Sequence, residues 1–310
     1  MELIRSLENF SCSASVAAVG NFDGIHRGHG IIIDEVVMRA RKNNAASILV
    51  TFEPHTRAVL NPDGEQPILT TLEEKCVLVE SREIDYLVSL SFDSSLQHMT
   101  YSEFIDKILS RKLGLKELVM GEGHMFGKDK KDSNSLHQSR GRMHFSTFIV
   151  PTAVLEGSMI SSTEIRRKII GGRLSEAVYL LGHPYLILTK RIGGIQQGRK
   201  QGYPTLNFAG VTPPKVTPHT GVYAGKVHYK NATWTGAVYY GTCPTFATRK
   251  EHFEFHSFDA ITGEPPVGET ARLWLYDFIR PDHAFATGGR LTEQISKDVS
   301  TIKEFFLREK

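Results

Sequence analysis

Cysteine is scarce in this chain of 310 residues, with only Cys12, Cys76 and Cys243, far apart and without the spacing of a metal or redox site. We therefore expect buried free thiols and a reducing, cytoplasmic environment. No apolar run approaches the roughly 18 residues of a membrane-spanning helix, and the N-terminal MELIRSLENF is too polar for a signal peptide. The net charge of +3 fits a protein that handles phosphates and predicts no nucleic-acid partner.

The sequence pattern changes near residue 183. Before it, apolar runs typical of buried strands alternate with helical stripes, as in SVAAVG (15–20) followed by IIIDEVVMRARK (31–42). This alternation predicts an α/β domain over 1–182, built on a doubly wound parallel sheet that binds ligands at the C-terminal ends of its strands. The helical pattern of 161–182 closes this domain.

Two capping-box patterns predict helix starts within the α/β domain, Thr71 with Glu74 and Thr100 with Glu103.

The remaining residues, 183–310, form a second predicted domain. Short alternating runs such as GVYAGKVHY and ATWTGAVYY are separated by glycine and proline, which predicts an antiparallel barrel or sandwich. The C-terminal segment 291–310 carries apolar residues on one face and predicts a terminal α-helix.

The stretch GNFDGIHRGHG (20–30) follows the first predicted strand and precedes a helix. Such a turn presents free backbone N–H groups to an anion. His26 and His29 lie on the same side of the first helical turn, where imidazoles can donate hydrogen bonds to phosphate and stabilise the charge of departing pyrophosphate. The alternative interpretation is a pair of exposed turn histidines.

Two further stretches carry groups suited to phosphates and metal ions. In ISSTEIR (160–166), hydroxyl groups stand at a predicted helix start, and Arg166 lies one turn on, where its guanidinium can bind a phosphate; a plain serine cap with a solvated arginine is the alternative. In GRKQGYPTLNF (198–208), Thr205 and Asn207 share one face of a strand. Their hydroxyl and amide oxygens suit Mg²⁺, although an ordinary hairpin turn is also possible.

Downstream, FEFHSFDA (253–260) alternates in the manner of a half-buried strand. Glu254 and His256 face one way, and Phe253 and Phe255 face the other. A solvated glutamate on an edge strand is the alternative to a chemical role.

These motifs together resemble the family of bacterial bifunctional riboflavin kinases/FMN adenylyltransferases, also called FAD synthetases. The adenylyltransferase half of that family has the motifs G-x-F-D-G-x-H-x-G-H, T-F-x-P-H-P, G-E-x-F-x-F-G-K and I-S-S-T-x-I-R, which resemble GNFDGIHRGHG, TFEPHTRAVL (51–60), GEGHMFGKDKKDS (121–133) and ISSTEIR in this chain. The kinase half has G-R-x-x-G-x-P-T-x-N, which resembles GRKQGYPTLNF. The resemblance implies a nucleotidylyltransferase-like α/β domain and an antiparallel β-barrel. It further implies phosphorylation of riboflavin to FMN and adenylylation of FMN to FAD, with ATP and Mg²⁺.

The resemblance also assigns roles to individual residues. Glu254 becomes the base of the kinase, and His26 and His29 become the catalytic histidines of adenylyl transfer. Phe126 and Arg280 become flavin contacts, and Thr205 and Asn207 become metal ligands. ATP and its phosphates would be bound by Gly20, Phe22, Asp23, Gly28, Ser162, Thr163, Arg166, Gly198, Arg199, Gly202 and Pro204.

In the adenylyltransferase half, three positions depart from the family pattern. Gly123 and His124 stand where the family has Asn or Asp followed by Phe, and Thr56 replaces a proline. Two alternatives therefore remain open beside the bifunctional enzyme. One is a riboflavin kinase with an impaired adenylyltransferase domain, and the other is a flavin-sensing regulator on the same scaffold.

Overall fold

The computed structural model describes residues 1–61, 67–129, 131–132, 144–155, 158–194, 203–242, 251–285 and 287–308. The chain divides into two compact units, Met1–Ser162 and Thr163–Lys310, which are described separately below.

A six-stranded parallel sheet forms the centre of the first unit, in the order β1-β4-β3-β2-β5-β8. The buried runs predicted from the sequence form its inner strands, and β2 and β3 have almost no exposed residue. Two further pairs of short antiparallel strands, β6–β7 and β9–β10, are separate from this sheet. The strands are β1 (Glu2–Ile4), β2 (Ser15–Val19), β3 (Ala46–Glu53), β4 (Tyr86–Ser91), β5 (Leu115–Gly121), β6 (Met125–Phe126), β7 (Lys131–Asp132), β8 (Ser146–Val150), β9 (Val154–Leu155) and β10 (Ser158–Met159).

Among the described residues of this unit there are five α-helices. Two of them begin with the capping boxes expected from the sequence, in which Thr71 pairs with Glu74 and Thr100 with Glu103. The helices are α1 (Arg27–Lys42), α2 (Thr56–Leu60), α3 (Leu72–Glu80), α4 (Ser94–His98) and α5 (Tyr101–Phe104), and the last continues as a π-helical turn, Ile105–Ser110.

The sheet order positions one pair of loops. The chain proceeds from β2 to β3 on one side and from β5 to β8 on the other, and β2 and β5 are neighbours. The loops after these two strands therefore meet at the point where the strand order reverses, which is where doubly wound sheets bind ligands. These loops are the histidine-rich stretch of 20–30 and the GEGH turn of 121–124.

Two helices begin the second unit, α6 (Ser162–Ile170), whose first residue is the last of the first unit, and α7 (Leu174–Leu181). The helical pattern of 161–182 is thus divided by Gly171 and Gly172. Gly172 adopts a positive φ of 71°, which side-chain-bearing residues rarely take, so the first helix ends there.

A closed antiparallel barrel follows, in the order β11-β12-β15-β14-β13-β16. Of the two architectures that the alternation allowed, the barrel is therefore the correct one. Aromatic residues fill its interior, including Phe208, Phe253 and Phe255, all fully buried. The strands are β11 (Tyr185–Ile192), β12 (Leu206–Ala209), β13 (Gly221–Tyr229), β14 (Ala232–Gly241), β15 (His252–Ser257) and β16 (Thr270–Pro281).

The C-terminal helix α8 (Gly288–Arg308) covers part of the barrel's outer surface. Ile302 is fully buried against Val222 and Ala224. The Arg280 guanidinium donates to both carboxylate oxygens of Asp298 in α8 at 2.8–3.0 Å. The sequence did not predict this ion pair, and the contact of Arg280 with flavin stays a prediction.

We expect Asp298→Ala to destabilise the barrel unit by about 3 kcal/mol, because it leaves a largely buried guanidinium without its charge partner. The double change Arg280→Met with Asp298→Leu should cost less. Trp234 and Trp274 are the chain's two tryptophans and both lie in this unit, so fluorescence during urea unfolding measures it directly. Glu304→Ala, which removes an exposed ion pair from the same helix, is the matched control and should have little effect. Equal losses for Asp298→Ala and Glu304→Ala would contradict the expectation.

The cysteines differ from the expectation in one respect. Cys12 and Cys76 are free, as predicted, but both are partly exposed rather than buried, and Cys243 lies outside the described residues. In the part of the chain that the structure describes, no helix combines the length and the apolar character needed to cross a membrane.

Candidate functional site

The first candidate site is the loop between β2 and α1. Phe22, Gly24 and Ile25 all have positive φ angles, of 46°, 88° and 42°. For Phe22 and Ile25 this backbone conformation is strained. Such strain persists only where the surrounding structure holds the residue in place, as it does at many binding sites. Both side chains are buried at 3% or less exposure, which gives the loop its rigid support.

His26 and His29 meet at the start of α1. His26 is the N-cap, and its Nδ1 accepts a hydrogen bond from the backbone N–H of His29 at 3.3 Å. The neutral His26 ring therefore carries its proton on Nε2. The two rings stack with centroids 3.6 Å apart, and Phe22 packs edge-on against His29. Two imidazoles and the N-terminal N–H groups of a helix are thus brought together, as the sequence predicted.

Ser162 is brought to this loop by a long-range contact. Its hydroxyl donates to the backbone oxygen of Asp23 at 2.8 Å. The Asp23 carboxylate is buried and accepts from the N–H groups of Leu69 and Thr70 at 2.8 and 3.1 Å. Asp23 therefore holds the loop in place, and its predicted phosphate contact stays a prediction.

A lysine that the sequence reasoning missed lies near this loop. Lys75, in α3, is 3% exposed and donates to the Thr51 hydroxyl at 3.2 Å. Burial lowers the pKa of Lys75, and the charges of Asp23 and Glu53 oppose that shift. One sequence signal could have identified it: Lys75 occupies the apolar stripe of α3 with Leu72 and Val79, where a solvated lysine is not expected.

Histidine pKa values at this site follow from burial. The pKa of His29 lies well below its usual 6.5, first because of burial and then because of the nearby His26, Lys75 and His124. Burial also lowers the pKa of His124. Both rings are therefore neutral near pH 7 in the folded protein, and His29 Nδ1 has no hydrogen-bond partner among the described residues.

We expect the first unit to lose stability as the pH falls below 6.5. In that window the unfolded chain binds protons on His29 and His124 while the folded chain does not, so protonation favours unfolding. Urea unfolding followed by circular dichroism at pH 7.5, 6.5 and 5.5 tests this, because a transition without tryptophan change belongs to this unit. His29→Asn should reduce the pH dependence, and an unchanged slope in that variant would contradict the assignment.

The other residues predicted for this site fall into three groups. Gly20 lies in the loop and Gly28 in the first turn of α1, where a side chain would press against the His26 ring at 3.3 Å. Thr163 and Arg166 belong to the second unit, where Arg166 is buried and donates to the Thr163 hydroxyl at 3.3 Å. Phe126 lies in β6, but its side chain is not among those that the structure describes.

The second candidate site lies on the outer face of the barrel. Asn207 in β12 is directly opposite Glu254 in β15, and Tyr239 in β14 is opposite Glu254 on the other side. Phe253 and Phe255, on either side of Glu254 in β15, point into the barrel interior. Strand alternation therefore directs Glu254 outward, as predicted. Thr205 lies one residue before β12 rather than within it.

The Glu254 carboxylate is held from two sides. Its Oε2 accepts from the Thr205 hydroxyl at 3.4 Å, and its Oε1 lies 3.3 Å from His252 Nε2. Both distances are longer than those of a strong hydrogen bond, and catalytic contacts of this kind shorten when a substrate binds. Next to them, His256 Nδ1 donates to the carbonyl of Pro204 at 3.1 Å and so ties the Y-P-T segment to β15.

The predicted metal ligands suit a small hard cation. Asn207 is 6% exposed, and a Cβ on Gly194 would lie 2.1 Å from its Nδ2, so the amide group packs directly against that glycine. A hydroxyl and an amide oxygen beside a carboxylate form a donor set that fits Mg²⁺ with nucleotide phosphates. Gly198, Arg199 and Gly202, predicted to cover the phosphates, lie outside the described residues.

Comparison with known proteins matches both halves. The FAD synthetase family model matches residues 10–164, and the riboflavin kinase model matches 181–306. A bifunctional riboflavin kinase/FMN adenylyltransferase of Buchnera aphidicola subsp. Schizaphis graminum is 31% identical, and its Escherichia coli K12 counterpart is 32% identical. The alignments cover 99% of this chain in both cases, and 99% and 98% of those proteins.

The boundary predicted at 182/183 falls between α7 and β11 and stays a prediction.

One solved structure is similar over nearly the full length. A protein from Streptococcus pneumoniae, described as a macrolide-efflux protein, superposes with a TM-score of 0.84 at 28% identity. The alignment covers 97% of this chain and 98% of that one, and the description concerns that protein. With an imidazole pair at the switch point of one unit and a Thr–Asn–Glu cluster on the barrel of the other, this chain belongs to the family of bifunctional riboflavin kinases/FMN adenylyltransferases.

Proposed function

We propose that this chain makes flavin cofactors in two ATP-dependent steps, riboflavin to FMN on the barrel and FMN to FAD in the α/β unit. The observation that supports the first step most directly is the Thr205–Glu254 contact, which joins a predicted metal ligand to a predicted base. For the second step it is the stacked pair of His26 and His29 at the start of α1. Both proposals are also supported by the membership of this chain in the family.

In the kinase step, Glu254 accepts the proton of the terminal ribityl hydroxyl of riboflavin. The hydroxyl oxygen forms a bond to the γ-phosphorus of ATP, the bond between that phosphorus and the bridging oxygen breaks, and ADP leaves. Thr205 and Asn207 would hold Mg²⁺, which neutralises charge on the β- and γ-phosphates when bound. The carboxylate needs no covalent intermediate, because phosphoryl transfer depends mainly on positioning and electrostatics.

In the adenylyl step, the phosphate of FMN attacks the α-phosphorus of ATP and pyrophosphate leaves. His26 Nε2–H and the N–H groups at the start of α1 donate to the phosphate oxygens that gain charge. His29, which is neutral near pH 7, hydrogen-bonds the same oxygens. Ser162 would contribute its hydroxyl, and Thr163 with Arg166 would bind the triphosphate, as predicted from the sequence.

The cytoplasm remains the proposed location, and free thiols at Cys12 and Cys76 support it. The candidate substrates and products are riboflavin, FMN, FAD, ATP and ADP, with no nucleic acid and no membrane partner.

One experiment tests the proposal against both alternatives. The pure protein is incubated with riboflavin, ATP and Mg²⁺, and the flavins are separated by chromatography. FAD supports the two-step enzyme, and FMN alone supports a kinase whose second site is impaired at Gly123 and His124. Tight flavin binding without turnover supports a regulator. Addition of excess EDTA should stop FMN formation, and full activity in EDTA would contradict the Mg²⁺ proposal.

A further inference from the structure

A histidine lies against the proposed base on the same strand. His252 and Glu254 are two residues apart in β15, so strand alternation places them on the same face of the barrel. His252 Nε2 lies 3.3 Å from Glu254 Oε1, and His252 is 9% exposed. A carboxylate oxygen can only accept, so Nε2 carries the proton in this contact.

The barrel register leaves room for this imidazole. The cross-strand neighbours of His252 are Ala209 in β12 and Gly241 in β14, which are among the smallest residues. Glu254, by contrast, is flanked by the longer Asn207 and Tyr239. Ala209 leaves space for the ring on one side, and on the other side the Tyr239 hydroxyl lies over Gly241, 2.4 Å from where a Cβ would stand.

Each carboxylate oxygen of Glu254 has its own hydrogen-bond donor. His252 holds Oε1, whereas Thr205, on the proposed metal side, contacts Oε2. A glutamate side chain has three rotatable bonds, and fixing one oxygen directs the other towards a single region. A base held in this way reaches the acceptor hydroxyl in a repeatable geometry, on which the rate depends strongly.

We propose that His252 is a positioning residue for riboflavin phosphorylation, whose Nε2–H holds Glu254 Oε1 so that Oε2 is directed at the ribityl hydroxyl. This proposal rests on the kinase function proposed above. It adds a residue outside the GRKQGYPTLNF signature and outside the FEFHSFDA motif on which the sequence prediction of the kinase depended.

Steady-state kinetics of the full-length protein test the proposal. His252→Leu removes the donor at similar volume, and we expect the kcat for FMN formation to fall about 10- to 100-fold. The KM values for riboflavin and ATP should stay within about twofold, because the substrates lose no contact. His252→Gln keeps an N–H donor and should retain kcat within about threefold.

Controls separate this role from general damage to the barrel. His228→Leu is the same substitution at a half-buried position in β13 of the same barrel, and it should leave kcat unchanged. FMN adenylylation should be unchanged in all variants. If His252→Leu is not folded, His252→Thr takes its place with the same expectation.

Two sets of results would overturn the proposal. One is a wild-type kcat in His252→Leu, and the other is an equal loss of kcat in the leucine and glutamine variants. Glu254→Gln, measured in parallel, separates the role of the base from the role of His252. If Glu254→Gln keeps its activity, the proposed base itself is wrong. If Glu254→Gln is inactive while His252→Leu is fully active, only the positioning role fails.

Discussion

Glu254→Gln should lower FMN formation by about 10² to 10⁴-fold while the protein still converts added FMN to FAD. Glutamine keeps the size and the hydrogen-bonding oxygen of the side chain but cannot take the proton of the attacking hydroxyl at neutral pH. The measurement is the rate of FMN formation from riboflavin, and separately of FAD formation from FMN, by flavin chromatography.

The chain offers a matched control three residues away. Glu251 accepts a hydrogen bond from the Tyr240 hydroxyl at 2.7 Å and has no role in the proposed step. Glu251→Gln should retain kinase activity because the amide oxygen can still accept that bond. Loss of both reactions in a folded Glu254→Gln protein would contradict the assignment of two separate sites, and normal kinase activity would remove Glu254 as the base.

His29→Ala should have the reverse effect, with FAD formation reduced about 10²- to 10³-fold and FMN formation unchanged. The imidazole donates to phosphate oxygens whose charge grows as pyrophosphate leaves, so its loss affects the transition state more than the bound substrates. Given riboflavin and ATP, this variant should accumulate FMN. The change also removes the stacking partner of His26, so some of the loss reflects the position of that ring.

The matched control for this variant is His98→Ala. His98 is an exposed histidine of α4 in the same unit, where it contacts the Ser94 carbonyl. We expect His98→Ala to leave both reactions unchanged. A folded His29→Ala protein with normal FAD formation would show that the imidazole pair is not part of the adenylyl site, and loss of both reactions would again contradict two independent sites.

The features predicted correctly from the sequence depend on neighbours in the chain. The capping boxes at Thr71 and Thr100 need only a carboxylate three residues on, and both are present in the structure. The strands of the barrel follow from strict alternation, since Phe253 and Phe255 require one side and Glu254 the other. The division of the 161–182 helical pattern into two helices was not predicted, although its cause, the pair Gly171–Gly172, is also local.

The features that were missed depend on residues far apart in the chain. Lys75 in α3 and Thr51 in β3 meet only in the folded unit, and Arg280 and Asp298 meet because α8 covers the barrel. His252 was nearer to prediction, because strand alternation already places it on the face of Glu254. Its contact with the carboxylate depends on side-chain conformation and on the small residues opposite it in two other strands.

By itself, the sequence determined the class of each domain, the family and the residue types of both sites, because periodicity and motif spacing are local properties. Only the tertiary structure decided which of those side chains touch. It placed the loops after β2 and β5 together at the switch point, tied Ser162 to Asp23, and set His252 against Glu254. Sheet order and strand register are set by the packing of the whole domain, so no single segment of the chain specifies these contacts.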